Sequence, residues 1–348
     1  MKIGMITTFQ QPCNPELGWG AEKYIWDLVE CLNNLGHEIT LFGIVGSKRP
    51  KHGNLVNLNN EDDVIGYLKD FRNEFDIIHD FSATKTVHDF CQMNNIKSIA
   101  TNFNTHFLNP TIHKNIVCVS QRQKYMGLQG KSGFEGTQWQ DSVGYTGYLQ
   151  SDAKVVHVGI NTDFYYPEYD QKEDYILHFN SFDYFKGIQI TLTIAEQLPE
   201  VKFKIAGSTL WEQHKIVFEE VKPIMDSLPN VEYEINSSNE RKRELFQKAK
   251  AYLFPSMFEQ PFAVVCLESL ACGTPVITMN YGGLPEIVRH GITGFNANNY
   301  DDLIFGIQNI DKINPINCRL DMEKRFTRES MTKNYINLYE MILRGESW

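Results

Sequence analysis

Glu268 stands inside the apolar run Ala263-Val-Val-Cys-Leu-Glu-Ser-Leu-Ala271. A carboxylate in such surroundings needs a partner, because burying an unpaired charge costs several kcal/mol. Gln260 and Pro261 precede the run, and Gly273 and Pro275 close it. The pattern predicts a helix over Phe262–Ala271, with proline in its first turn and glycine and proline at its end. The start of such a helix presents free N–H groups and favours a phosphate. At about 1.5 Å per helical residue, Gln260 and Glu268 lie on the order of 10 Å apart. One elongated ligand fits that spacing, with a polar group at each end and a phosphate between. A carboxylate accepts two hydroxyl donors at once, which suits a ribose diol.

The elements that must carry these residues alternate. KIGMITTF, HEITLFGI, FDIIHDF, SIATNF and NIVCVS read as strands, with helical periodicity over Ala21–Leu35 and Glu61–Phe71. KVVHVGI is a further strand, and the polar, proline-containing NTDFYYPEYDQKED reads as a linker. The pattern then restarts. YILHFNS, FKIAG, VEYEI, AYLFP and PVITM are strands, with helices over Gly187–Leu198, His214–Ser227 and Asn239–Ala249 between them. Strands alternating with helices predict parallel sheets, here two doubly wound halves joined near residue 160. Ligands bind beyond the carboxyl ends of such strands, so the expected site is the cleft between the halves. Gln121–Gln150, rich in glycine and aromatics, fits neither pattern and reads as a long functional or mobile loop.

Composition narrows the classes. The chain has 348 residues, 42% hydrophobic and 22% charged, with a formal net charge of −10. That length predicts two domains. The acidic balance argues against general affinity for nucleic acid or anionic membrane. The basic stretches SKRPKH and Lys114–Lys131 are read as solvated loop charge that leaves room for a local anionic contact. No apolar stretch approaches the roughly 18 residues that span a bilayer, and MKIGMITTF lacks a leader's apolar region. Seven scattered cysteines without a CxxC pair predict reduced thiols, with neither a disulfide framework nor a zinc site. GxGxxG, Walker A, HExxH and GxSxG motifs are absent.

The stretch FPSMFEQPFAVVCLESLACGTPVITMNYGGLPEIVRHGITGF resembles the C-terminal signature of the retaining glycosyltransferases of family 4, in which two glutamates are separated by seven residues. LGWGAEKYIWDLVECLNNLGHEITLF resembles that family's glycine loop, helix and second strand, and FDIIHDF its histidine-bearing strand. VVHVGINTDFYYP resembles its interdomain crossing, and ILHFNSFDYFKG its phosphate-binding strand and loop. The resemblance covers most of the chain. It implies an α/β fold of the GT-B type, two Rossmann-like doubly wound domains facing across a cleft. The domains would be 1–158, on the acceptor side, and 159–325, binding the nucleotide sugar. A final helix over about 326–343 would pack back on the first.

Residue by residue, the resemblance makes the ligand the partner of Glu268, through ribose hydroxyls. His79, Lys186 and Gln260 become the catalytic candidates, with Lys186 on the donor diphosphate. Gly20, Ser181, Phe262, Ala263, Val264, Gly282 and Gly283 complete the donor side, and Glu286 supports the glycine pair. Trp19, His106, Arg122, Trp139 and Tyr145 are acceptor candidates. The sequence departs from the pattern at four places. Gln260 replaces the first glutamate, Ser181 an arginine, Ala263 a glycine, and Phe81 a second histidine. Lys23 or Arg122 is expected to replace the missing arginine in space.

The implied activity is transfer of a hexosyl or pentosyl group from a nucleoside-diphosphate sugar to an acceptor hydroxyl with retention, without a metal or other cofactor. Cytoplasm is the expected location, or host cytoplasm for a viral protein, with membrane association unexpected. The alternatives are a non-catalytic sugar-nucleotide binder and a phage-type enzyme glycosylating modified nucleic-acid bases, where nucleic acid enters only as acceptor.

Overall fold

The structure, a computed structural model, describes residues 1–16, 20–103, 114–129 and 153–348. The chain forms two compact units, one of Met1–Ile160 with Phe326–Trp348 and one of Asn161–Arg325. Both are α/β with wholly parallel sheets of the Rossmann-like kind.

In the first unit the strands are β1 (Lys2–Ile6), β2 (Glu38–Gly43), β3 (Gly53–Asn57), β4 (Ile77–Asp80), β5 (Ser98–Asn102), β6 (Ile116–Cys118) and β7 (Lys154–Val155). They lie in the order β3-β2-β1-β4-β5-β6-β7. Central strands such as β1 and β4 are buried on both faces, which is why they read as apolar runs rather than alternating ones. The helices are α1 (Gly20–Asn34), α2 (Glu61–Phe71), α3 (Thr86–Met93) and α4 (Gln121–Leu128). Ser120 caps α4 by accepting from the Gln123 N–H at 3.0 Å. The segment expected to be a loop from Gln121 onward therefore begins as a helix, and its continuation past residue 129 lies outside the described residues. The sequence reading also passed over β3, whose polar GNLVN carries no apolar pattern.

KVVHVGI is a strand only at Lys154–Val155. Beyond it, Ile160 bridges Thr327 in parallel, donating to the Phe326 carbonyl at 3.0 Å and accepting from the Arg328 N–H at 3.1 Å. A Cβ at Gly159 would sit 2.2 Å from the Thr327 carbonyl oxygen, so glycine is what lets these two segments touch. The last helix, Arg328–Leu343, packs on α1, where the Arg328 guanidinium meets Glu30 at 2.7 Å.

A buried chain of hydrogen bonds fixes that helix. Tyr24 and Tyr335 hydroxyls meet at 2.6 Å, Tyr335 and Thr101 at 2.8 Å, Thr101 and His79 Nε2 at 2.8 Å, and His79 Nδ1 and Tyr339 at 2.7 Å. His79 is wholly buried, and burial pushes its pKa well below the usual imidazole range. Both ring nitrogens are engaged within the unit. Its ring joins β4 and β5 to the last helix.

In the second unit the strands are β8 (Ile176–Phe179), β9 (Phe203–Gly207), β10 (Val231–Ile235), β11 (Ala251–Phe254), β12 (Val276–Met279) and β13 (Gly294–Ala297), ordered β10-β9-β8-β11-β12-β13. The chain winds outward from β8 to β10, then returns to lay β11 on the other side of β8. The β8–β11 junction is thus the topological switch point, where loops part and ligands bind in open α/β sheets. The helices are α5 (Ile188–Gln197), α6 (Glu212–Ser227), α7 (Asn239–Lys248), α8 (Val264–Ala271), α9 (Leu284–Ile287), α10 (Tyr300–Gln308) and α11 (Pro315–Arg325).

The segment read as a linker is part of this unit. Tyr165 is fully buried, and the Arg319 guanidinium donates to the carbonyls of Thr162, Tyr165 and Ala271. Its polar, proline-containing sequence hid that burial.

Two buried histidines make stability depend on pH. His178, hydrogen-bonded through Nδ1 to Thr191 at 2.9 Å, is lowered to about 3 by burial, and His79 is lowered in the same direction. The unfolded chain binds protons at these rings below about pH 6.5, whereas the folded chain does not. Stability is therefore full above about pH 6.5 and falls as pH drops, by up to about 1.4 kcal/mol per unit for each ring. Urea unfolding at pH 7 and pH 5 should show this loss, and His178→Gln should shrink it in the second unit. An unchanged pH slope in that variant would refute the assignment.

Candidate functional site

The site is built at the β8–β11 switch point. After β8 the chain runs Asn180-Ser181-Phe182-Asp183-Tyr184-Phe185-Lys186-Gly187. The Asp183 carboxylate accepts from the Phe185 N–H at 2.9 Å and sets a short turn. Gly187 follows with φ +79°, and a Cβ there would lie 2.1 Å from the Pro255 carbonyl oxygen. Only glycine combines that dihedral with so close an approach between the loops after β8 and β11. The turn delivers Lys186 Nζ to 3.2 Å from Gln260 Oε1, over the rings of Phe258 and Phe254 at 5.2 and 5.8 Å. Desolvation lowers the Lys186 pKa to about 8, with Asp183 pulling the other way.

Gln260 is buried and held from three directions. Its Nε2 donates to Ser256 Oγ at 3.1 Å, its Oε1 accepts from Lys186, and its carbonyl accepts from the Gly283 N–H at 2.8 Å. The Gly282 N–H donates to Glu259 Oε2 at 2.7 Å. Gly282 has φ +57°, and a Cβ there would fall 2.2 Å from the Gln260 carbonyl oxygen. The glycine pair thus clamps residues 259 and 260. Glu286 closes the turn through its backbone, donating to the Gly283 carbonyl at 3.1 Å.

Phe262 and Ala263 precede α8, which begins at Val264, and Ala263 is extended with φ −122°. Ala263 provides no side-chain cap for the helix start. Amide groups there are the kind that an anion satisfies. Lys186, Gln260, Phe262, Ala263 and Val264 are thereby brought to one end of one sheet. Ser181, half-buried, lies on the same β8 loop.

Glu268 sits in the second turn of α8 and is 1% exposed. Its partner is not left to a ligand. Lys242 Nζ on α7 lies 2.9 Å from Oε1, and the Tyr165 hydroxyl donates to the same oxygen at 2.6 Å. Whatever ligand it meets, the carboxylate already has a counter-charge from the chain itself. The sequence held a signal for it. Lys242 shares a helix face with the buried Leu245 and Phe246, so its stem had to run inward. Asn180 and Ser256 were also missed. Asn180 is buried after β8 and donates to the Tyr252 hydroxyl at 3.1 Å.

Of the first-unit candidates, Gly20 opens α1, and a Cβ there would meet nothing within 4 Å among the described residues. No close packing in the described chain demands glycine there. Lys23 is buried on α1, and Arg122 lies on α4 over the Tyr125 ring at 5.6 Å. Trp19, His106, Trp139 and Tyr145 lie outside the described residues. Among the described residues no three His, Cys, Asp or Glu side chains cluster as a metal site requires, and no helix is long and apolar enough to cross a membrane.

Two Rossmann-like parallel-sheet units, with this loop constellation at the second unit's switch point, define a fold of the GT-B type. Residues 162–323 match the family model described as glycosyl transferases group 1, which supports that family for the second unit. An uncharacterized glycosyltransferase of Methanocaldococcus jannaschii is 26% identical over 196 residues, 49% of this chain and 46% of that protein. The match thus spans less than half the length of that relative. A glycosyltransferase structure from Rickettsia africae superposes with TM-score 0.77 at 16% identity, covering 99% of both chains. Anabaena Alr3699/HepE in complex with UDP superposes with TM-score 0.70 at 15% identity, covering 97% of this chain and 99% of that one.

The clamp gives a direct test. Gly282→Ala places a methyl against the Gln260 backbone and forces a strained φ, so it should destabilise the second unit by about 1–3 kcal/mol. Thermal unfolding of variant and parent measures it. A melting temperature unchanged by the substitution would show that the glycine pair does not hold residues 259 and 260.

Proposed function

We propose that this chain transfers a sugar from a nucleoside-diphosphate sugar to an acceptor hydroxyl with retention of configuration and without a metal ion. The observation that carries the reading is the convergence of Lys186, Gln260 and the start of α8, which no side chain of Ala263 caps, at the switch point of the second unit. The group 1 family match over residues 162–323 supports it. So does the fold shared with a protein solved in complex with UDP.

In this reading the leaving diphosphate is the charge to be stabilised. Lys186 meets it as an ammonium, and the N–H groups near Phe262–Val264 as fixed dipoles. Gln260 hydrogen-bonds a sugar hydroxyl, with its amide orientation set by Ser256 and Lys186. Glu268 accepts a ribose hydroxyl. Ser181, lacking a charge, leaves Lys186 as the cation that the β8 loop delivers. That last feature favours a second reading, a protein that binds sugar nucleotides without transferring them.

Thermal-shift measurements with nucleoside diphosphates and their sugars, followed by transfer assays, separate the two readings. Stabilisation by a nucleoside diphosphate is expected for both, since binding to the native state raises stability. Transfer with retention is expected only for the first. Lys186→Met should then lower transfer about 10²-fold or more.

The Lys186 pKa sets the basic limb of activity. The free enzyme's ammonium is lost as pH rises through about 8. For the donor, kcat/KM should therefore fall about tenfold per unit above that pH. A profile flat to pH 10 would remove Lys186 from the diphosphate.

A further inference from the structure

Resting on the donor reading above, we propose that Lys242 is a positioning residue of the donor site. It fixes the Glu268 carboxylate where a ribose diol meets it, with Tyr165 as a second brace. The geometry is that of a built device. Side-chain exposures of the pair are 9% for Lys242 and 2% for Glu268, with 2.9 Å between charges. The ammonium approaches along the Tyr165 and Phe179 rings, at 5.6 and 5.9 Å from their centres, so packing fixes its direction. Lys242 and the Tyr165 hydroxyl both act on Oε1.

Burial alone drives a carboxyl towards its protonated form, in which it is a poorer acceptor for hydroxyls. Lys242 puts a cation in direct contact with this one.

The test is affinity for ribose against 2′-deoxyribose. UDP, GDP and ADP, each with its 2′-deoxy counterpart, are titrated calorimetrically into the full chain. The pair containing the tightest binder is then carried into the variants. The parent should prefer the ribonucleotide. Lys242→Met should weaken ribonucleotide binding about tenfold or more, leave the 2′-deoxy compound within about twofold, and so erase the preference. Lys242→Arg should restore part of it, which a purely structural role would not require.

Where Lys242→Met fails to fold, Lys242→Met combined with Glu268→Gln removes both charges together and keeps the shapes close. That double variant should fold and show no preference. Retention of the parent's preference in either folded variant overturns the proposal and leaves the donor reading standing, as does a parent that binds without preference. A parent that binds none of the three ribonucleotides overturns the donor reading and this proposal with it.

Discussion

A charge taken out of water must be met inside the protein, and the second unit is organised around that constraint. The Glu268 carboxylate draws Lys242 inward from α7 and Tyr165 from the segment that follows residue 160. That segment is thereby packed into the unit rather than left as a tether. Other buried ammonium groups meet the same demand differently. Lys172 donates to the Phe246 and Ala249 carbonyls at the end of α7 and to the Thr274 hydroxyl. Lys85, in the first unit, donates to the carbonyls of Ser82 and Thr101. Lys186 is the exception, because its nearest partners are a neutral amide and two aromatic faces. Of these lysines it is the one whose surroundings would gain most from an anion.

The alternation of strands and helices was legible because both sheets are parallel and buried on both faces, which turns β1, β4, β8, β11 and β12 into short apolar runs. The α8 signature was legible because helix start, helix stop and polar positions fall close together in the chain. What stayed hidden was contact between distant segments. Nothing local in FDIIHDF says that both nitrogens of His79 will be taken by Thr101 and Tyr339, the latter 260 residues away. The sequence likewise shows a carboxylate in need of a partner at Glu268 without showing that α7 provides one. β3 was missed for a simpler reason: the edge strand GNLVN is half exposed and lacks the apolar pattern of a buried strand.

At both His79 and Glu268 the fold supplies partners that the apolar stretch around them does not show. The His79 chain is complete within the first unit. Its members come from α1, β4, β5 and the last helix, so it ties together elements that are far apart in sequence. By contrast, Lys186 and Gln260 are held in place but not enclosed by opposite charge.

Because Ile160 bridges Thr327, the second unit is an insertion between two adjoining segments of the first. This has a consequence during synthesis. As the chain leaves the ribosome, residues 161–325 are all present before any of 326–348 has been made. The second unit can reach its native state early, while the first waits for Tyr335 and Tyr339 with part of its interior uncovered. A released chain ending near residue 325 would carry the whole second unit but lack the helix that completes the first, which makes the first unit the one exposed to chaperones and proteases.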